Sequence, residues 1–190
     1  MTKKFNFICF ALVAVILPSA ASSVIAETAP SFFPATPPAC AAMFDLPALD
    51  GRSRALAAES GRPILLHFFA TWCEPCKAEL GSLRRFSETR SDQIQVLAVN
   101  VGEVPGRVRR FLDETPVTFP VLLDADRAVA KSWAVEGLPA TVVLDKNLTP
   151  RLAVTGDLDW TNTGVGREID RALASTPDSR DANCTREATR

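Results

Sequence analysis

The chain has 190 residues, 47% of them hydrophobic, which is enough for one domain with a full hydrophobic core. A formal net charge of −1 gives no electrostatic bias toward nucleic acid or anionic lipid, so neither is expected as a partner. His67 is the single histidine, and a metal site built on histidine is therefore not expected.

The N-terminus has the features of an export signal. Lys3 and Lys4 precede an apolar run of 13 residues, Phe5–Leu17, which is shorter than the roughly 20 residues that a bilayer-spanning helix needs. We therefore expect residues 1–26 to be a cleaved signal peptide and the protein to be periplasmic. The alternative is an uncleaved anchor over Phe5–Ile25, which would be its only attachment to the membrane.

Composition divides the remainder into three parts. Residues 27–43 are rich in alanine and proline and predict an extended tether without packed structure. Residues 175–190 are polar and predict a flexible C-terminal tail. Residues 44–174 alternate buried apolar runs with segments of helical spacing, which predicts an α/β domain. The predicted strands are Pro63–Phe69, Ile94–Val101, Phe119–Leu123, Thr141–Asp145 and Arg151–Thr155, and the predicted helices are Glu74–Thr89, Gly106–Glu114, Arg127–Trp133 and Gly164–Ala174.

A pair of cysteines, Cys73 and Cys76, stands between a predicted buried strand and an amphipathic helix. Such a pair could be half of a zinc site or a structural disulfide, but no second ligand pair has a similar spacing. The position favours redox chemistry, because unpaired N–H groups at a helix N-terminus stabilise a thiolate. We expect Cys73 to be the nucleophile and Cys76 the buried resolving thiol.

Four segments resemble the thioredoxin-like reductases of the TlpA/ResA group. They are Leu65–Glu79 (LLHFFATWCEPCKAE), Ala98–Glu103 (AVNVGE), Phe119–Asp124 (FPVLLD) and Gly137–Thr141 (GLPAT). The group includes the extracytoplasmic thiol–disulfide proteins of cytochrome c maturation. The resemblance implies a thioredoxin fold, in which a central mixed β-sheet is flanked by helices and a strand and a helix are inserted in the middle.

The resemblance also implies further site residues. Pro139 matches the family's cis-proline, so the Leu138–Pro139 bond is expected to be cis and to lie against the dithiol. Glu79 follows Cys76 by three residues, where the group carries a glutamate that influences the buried cysteine; the alternative is a solvated surface carboxylate. The expected catalytic set is Cys73, Cys76, Glu79 and Pro139.

Two glutamates suggest the direction of electron flow. Glu74 and Glu79 are expected to raise the pKa values of the cysteines. Higher thiol pKa values stabilise the reduced form less, which predicts an electron donor and not an oxidant. Trp72, Glu74 and Leu138 are expected to contact the substrate.

His67 departs from the group, which often has asparagine at this position. It is a candidate proton relay for Cys76, and the alternative is a core histidine bonded to backbone. Trp133 and Trp160 are expected to pack in the core. Glu103 matches a group motif, but the sequence assigns it no role.

Export would leave two further cysteines, Cys40 and Cys184, on either side of the domain. They are candidates for a structural disulfide. A disulfide to another protein and two free thiols remain as alternatives.

The sequence thus predicts a protein-disulfide reductase serving cytochrome c or copper-site maturation, with no cofactor beyond the redox-active Cys73–Cys76 disulfide. Expected partners are protein thiol or disulfide substrates and a membrane thiol–disulfide electron donor, and the expected state is a monomer. A thiol peroxidase would need threonine where Ala70 stands. A copper chaperone, the other alternative, would be expected to have methionine or further histidine ligands near the dithiol.

Overall fold

A computed structural model describes residues 34–35, 38 and 40–175 of the chain. The strands are β1 (Pro34–Ala35), β2 (Asp45–Pro47), β3 (Ser53–Ala55), β4 (Ile64–Phe69), β5 (Gln95–Val101), β6 (Val121–Asp124), β7 (Ala140–Leu144) and β8 (Pro150–Thr155). The α-helices are α1 (Glu74–Thr89), α2 (Pro105–Glu114), α3 (Ala128–Ser132) and α4 (Thr163–Ala174), and a short 3-10 helix spans Leu56–Glu59.

Six strands form one mixed sheet in the order β1-β8-β7-β4-β5-β6. β4, β5 and β6 run parallel, whereas β7, β8 and β1 pair antiparallel. Helices lie on both sides of this sheet, which confirms the predicted fold class. In the middle of the domain, α2 and β6 lie between β5 and α3, and β6 adds an edge strand to the sheet.

β4 occupies the centre of the sheet, and all six of its residues are buried. Successive side chains of a strand point to opposite faces, so the two faces are filled by alternate residues. Leu65 and Phe69 belong to the core cluster that includes residues of α1 and α4. Leu66 and Phe68 belong to the cluster on the other face, with Trp133. His67 alternates in step with Leu65 and Phe69 and therefore points toward α1.

The described elements differ from the predicted ones mainly at their ends. The strand expected from Phe119 begins at Val121, because Pro120 has no N–H to donate to the ladder. The helix expected from Arg127 begins at Ala128, since Arg127 has a left-handed φ of 64°. The hairpin of β2 and β3 was not predicted, because strands of three residues are too short to show an alternating pattern.

Part of the segment predicted as an unpacked tether contacts the domain. Pro34–Ala35 pairs antiparallel with β8, whose outer edge would otherwise have unpaired backbone groups. Ala42 accepts a hydrogen bond of 3.1 Å from the indole N–H of Trp133. The predicted signal peptide, 1–26, and residues 176–190 of the predicted tail lie outside the described residues. No helix of the described part of the chain has the length and hydropathy that a membrane crossing requires.

Candidate active site

The two cysteines meet at the N-terminus of α1. Cys73 is the N-cap residue, and its Sγ accepts a hydrogen bond of 3.3 Å from the backbone N–H of Cys76. The two are joined in a disulfide. Pro75 lies in the first turn, where a missing N–H costs no helical hydrogen bond. Cys73 retains 5% of its surface and Cys76 none, so an attacking thiol reaches the disulfide from the Cys73 side.

The Leu138–Pro139 peptide bond is cis, in the loop before β7. Trp72 and Leu138 line the same surface pocket of about 290 Å³, together with Val135 and Arg127. Trp72 is 58% exposed, which is unusual for so large an apolar side chain. Two of the three predicted substrate-contact residues therefore lie together beside the first cysteine.

Glu74, the third predicted contact residue, is placed differently. Its side chain is 82% exposed and forms an ion pair with Lys77 one turn further along α1. It does not line the pocket of Trp72 and Leu138. Its charge is screened by solvent, so any effect on the dithiol is weaker than that of a buried carboxylate.

Glu79 is buried, with 4% of its surface exposed, and the alternative of a solvated surface carboxylate is wrong. Its Oε2 accepts hydrogen bonds from the backbone N–H of Leu158 (2.9 Å) and the indole N–H of Trp160 (3.1 Å). Burial raises the pKa of Glu79 to about 7, and the nearby carboxylate of Asp157 acts in the same direction, against the two hydrogen bonds.

His67 is fully buried and faces Glu79 across the interface of β4 and α1. Its Nδ1 lies 3.0 Å from the Thr141 hydroxyl, and its Nε2 lies 3.3 Å from Glu79 Oε1. The alternative interpretation, a core histidine hydrogen-bonded to backbone, is therefore wrong, because both ring nitrogens face side chains. Burial lowers the pKa of His67 to about 3, so the imidazole is neutral at physiological pH. A role as proton relay stays a prediction.

Glu103 is the site residue to which the sequence assigned no role. Its carboxylate accepts hydrogen bonds from the Thr71 backbone N–H (2.7 Å), the Thr71 hydroxyl (2.6 Å) and the Asn100 side-chain amide (2.7 Å). Glu103 is 7% exposed, and such charge-assisted bonds are strong. The carboxylate thus fixes the three-residue turn between β4 and Cys73. The signal available in the sequence was the group motif Ala98–Glu103, which contains Asn100 but does not identify Thr71, 32 residues earlier, as a partner.

Trp160 also has a part that the sequence did not show. It is buried as expected, but its indole N–H is a donor to Glu79.

Cys40 is disulfide-bonded, whereas Cys184 lies outside the described residues, so the Cys40–Cys184 pairing stays a prediction. Among the described residues there is no cluster of three or more His, Cys, Asp or Glu side chains that could hold a metal ion.

Comparison with known proteins gives a consistent result. Residues 38–151 match the AhpC/TSA family. The chain is similar to the thiol-disulfide oxidoreductase ResA of Geobacillus kaustophilus, at 32% identity over 70% of this chain and 73% of that one. ResA of Geobacillus thermodenitrificans is 34% identical over 60% of this chain and 67% of its own length. A candidate thiol:disulfide interchange protein DsbE from Chlorobium tepidum has a similar structure, with a TM-score of 0.66 and 26% identity over 71% of this chain and 96% of that chain.

Replacing His67 or Glu79 should change how the free energy of unfolding depends on pH. The two replacements should change it in opposite directions. Between about pH 4.5 and 6.5 folded Glu79 keeps a proton that the unfolded chain loses, which lowers stability as pH rises. Over the same range folded His67 lacks a proton that the unfolded chain holds, which raises stability as pH rises. In the natural protein these two contributions to the pH dependence of stability cancel.

Urea unfolding at several pH values would test this. Relative to the natural protein, the free energy of unfolding of Glu79→Gln should rise by about 2–3 kcal/mol across the window, and that of His67→Asn should fall by a similar amount. Two variants whose curves run parallel to that of the natural protein would contradict the assigned pKa directions.

Glu103→Gln should loosen the turn before Cys73. The carboxamide places an N–H₂ group against N–H and O–H donors, so we expect a loss of about 1–3 kcal/mol in the free energy of unfolding. Amide hydrogen exchange at Thr71 should accelerate. Thr71→Val is the matched control, because it removes the hydroxyl bond and leaves the backbone bond; protection of the Thr71-position amide should persist there. Unchanged exchange in Glu103→Gln would argue against the clamp.

Proposed function

This chain belongs to the AhpC/TSA family and is a thiol–disulfide oxidoreductase of the ResA type, and from that premise we propose that it works outside the cytoplasm as a reductant of protein disulfides. Its substrates would be proteins whose cysteines must be reduced before haem attachment in c-type cytochromes or before assembly of a copper site of cytochrome oxidase. The observation that carries the proposal is the dithiol at the N-terminus of α1 with a buried carboxyl group one turn along the same helix.

The dithiol supplies two electrons in two exchange steps. The Cys73 thiolate attacks one sulfur of a substrate disulfide, forming a mixed disulfide and releasing the first substrate thiolate. The Cys76 thiolate then attacks Cys73 Sγ, which forms the Cys73–Cys76 disulfide and releases the second substrate thiolate. The substrate gains two electrons and two protons, and the dithiol loses two electrons and two protons. The accessible Cys73 and the buried Cys76 suit this order.

The buried Glu79 favours electron donation. When it is ionised, its negative charge opposes a thiolate at Cys76, on the same side of α1. A thiolate that is poorly stabilised makes the reduced form less stable and the protein more reducing. Glu79 rather than Glu74 carries this effect, because Glu74 is exposed and paired with Lys77.

The surface beside Cys73 suits an extended protein segment. The family resemblance implies that the cis-Pro139 loop lies next to the dithiol, and we propose that backbone groups of this loop pair with a substrate strand. The exposed indole of Trp72 and the side chain of Leu138 offer apolar contact on the same side. We propose that the substrate segment runs along this loop with its cysteine at Cys73.

The location and the electron supply rest on sequence and relatedness. Residues 1–26 have the composition of an export signal, and an exported reductant needs electrons from across the membrane. We propose a membrane thiol–disulfide protein as that donor and a monomer as the working form. No bound cofactor enters the steps.

Cys76→Ser should trap substrate proteins as mixed disulfides on Cys73, because the resolving attack is lost. Non-reducing gels of cells that express this variant should show adducts that dithiothreitol releases, and mass spectrometry would identify the captured proteins. Cys73→Ser is the control and should give no such adducts. Equal trapping by both variants would contradict the order of attack.

The reduction potential of the natural protein should be that of an electron donor. Equilibration with redox buffers, followed by alkylation of free thiols, should place it nearer to thioredoxin, at about −270 mV, than to the oxidant DsbA, at about −120 mV. Glu79→Gln should shift the potential toward less negative values above neutral pH. A natural protein as oxidising as DsbA would sink the proposal of a reductant.

A further inference from the structure

A chain of three polar side chains crosses the hydrophobic core beneath the dithiol. Thr141 on β7 meets His67 on β4, and His67 meets Glu79 on α1, through contacts of 3.0 Å and 3.3 Å. His67 Nε2 and Glu79 Oε1 are both buried, and neither has a hydrogen-bond partner elsewhere among the described residues. Two unpaired buried polar atoms are costly, and here they face each other.

One proton between these two atoms satisfies both of them. In the first arrangement Glu79 is ionised, and His67 carries its proton on Nε2 and donates it to Oε1. In the second, Glu79 is protonated and donates from Oε1 to Nε2, and the His67 proton is on Nδ1. The second arrangement holds one proton more than the first, and the imidazole is neutral in both.

Thr141 allows either arrangement. Its hydroxyl can donate to Nδ1 when Nε2 carries the proton, and it can accept from Nδ1 when Nδ1 carries it. Glu79 Oε2 is meanwhile held by the N–H donors of Leu158 and Trp160, so the carboxyl group keeps Oε1 toward the imidazole. The backbone and the surrounding side chains need not move for the proton count to change.

The groups around His67 and Glu79 place the gain and loss of this proton near neutral pH. β5 presents Ala98 beside His67, and β7 presents Thr141, neither of which titrates. The charged neighbour is Asp157, whose carboxylate opposes ionisation of Glu79. Glu79 forms no ion pair with a lysine or arginine of the described residues. Burial without a cation raises the pKa of Glu79 to about 7 and keeps His67 from becoming an imidazolium.

We propose that Thr141, His67 and Glu79 form a buried proton store for Cys76, in which His67 acts through the Glu79 carboxyl group by changing its tautomer. This rests on the proposed function. When Cys76 becomes the attacking thiolate, one proton leaves its Sγ and the store gains one, so that Glu79 becomes the neutral acid and His67 the Nδ1–H tautomer. No electrons move in this step. The proton returns when the dithiol is reduced again.

His67 gives a direct measurement, because it is the only histidine in the chain. Protein labelled with ¹⁵N-histidine, with any histidine tag removed, has two ring nitrogens whose chemical shifts report the tautomer. Between about pH 5 and 8 the reduced protein should pass from the Nδ1–H to the Nε2–H tautomer, with its midpoint near 7 and no imidazolium. In Glu79→Gln the tautomer should not change with pH. A single tautomer throughout, or an imidazolium forming near pH 6.5, would overturn the proposal.

A matched pair of variants tests the part of Thr141. Thr141→Val keeps the shape of the side chain and removes the hydroxyl, whereas Thr141→Ser keeps the hydroxyl. The rate at which Cys76 closes a preformed mixed disulfide on Cys73 would be followed by rapid mixing across the same pH range. Thr141→Val should shift the pH of the half-maximal rate by about half a unit or more. At a fixed pH on the rising part of the profile, this shift is a roughly threefold change in rate. Thr141→Ser should follow the natural profile; equal profiles for both variants would remove Thr141 from the store.

The two proposals fail in different ways. If the natural protein exchanges disulfides normally but the His67 tautomer does not respond to pH, the proton store is wrong and the proposed function stands. If the tautomer titrates as expected but the Cys76→Ser variant captures no substrate protein, the pair holds a proton and the proposed function is wrong.

Discussion

β4 lies at the centre of the sheet, with β5 on one side and β7 on the other, and every one of its side chains is buried. Its position fixes the start of α1, because only a short turn separates Phe69 from Cys73. The Glu103 carboxylate holds that turn through two hydrogen bonds from Thr71, and a third hydrogen bond, from Asn100 on β5, holds the carboxylate itself. The dithiol is therefore placed by the sheet rather than by a mobile loop, which suits a site whose sulfur atoms must meet an incoming disulfide in a defined geometry.

The same packing creates the electrostatic character of the site. α1 covers one face of β4, and that interface buries Glu79 and His67 where most positions are apolar. A buried carboxylate opposes a neighbouring thiolate, while the helix N-terminus favours one at Cys73. The two cysteines thus experience different surroundings one helical turn apart. This difference suits a nucleophile and a resolving thiol that need to ionise at different moments.

The relatives and the site agree on the class of chemistry. The ResA proteins are named for thiol–disulfide exchange, and the described residues contain the dithiol at a helix N-terminus and a cis-proline in the loop before β7. The imidazole of His67 and its contacts with Thr141 and Glu79 form a buried polar chain between β7, β4 and α1. We propose that the protein selects its substrate at the exposed surface around Trp72, because the dithiol itself would react with any accessible disulfide.

The sequence by itself determined the elements with strong local signals: β4 as an apolar run, α1 over Glu74–Thr89, and the placement of Cys73 and Cys76. The cis bond at Pro139 was implied by the resemblance of Gly137–Thr141 to the family. These features depend on residues that are close together along the chain. Only the tertiary structure decided that Glu79 is buried, that Trp160 and Leu158 are its donors and that Glu103 binds Thr71. Each of these depends on contacts between residues about 30 to 80 positions apart. The burial of these side chains and the identity of their hydrogen-bond partners are properties of the packed interface between β4, α1 and their neighbouring loops, and no local sequence pattern encodes them.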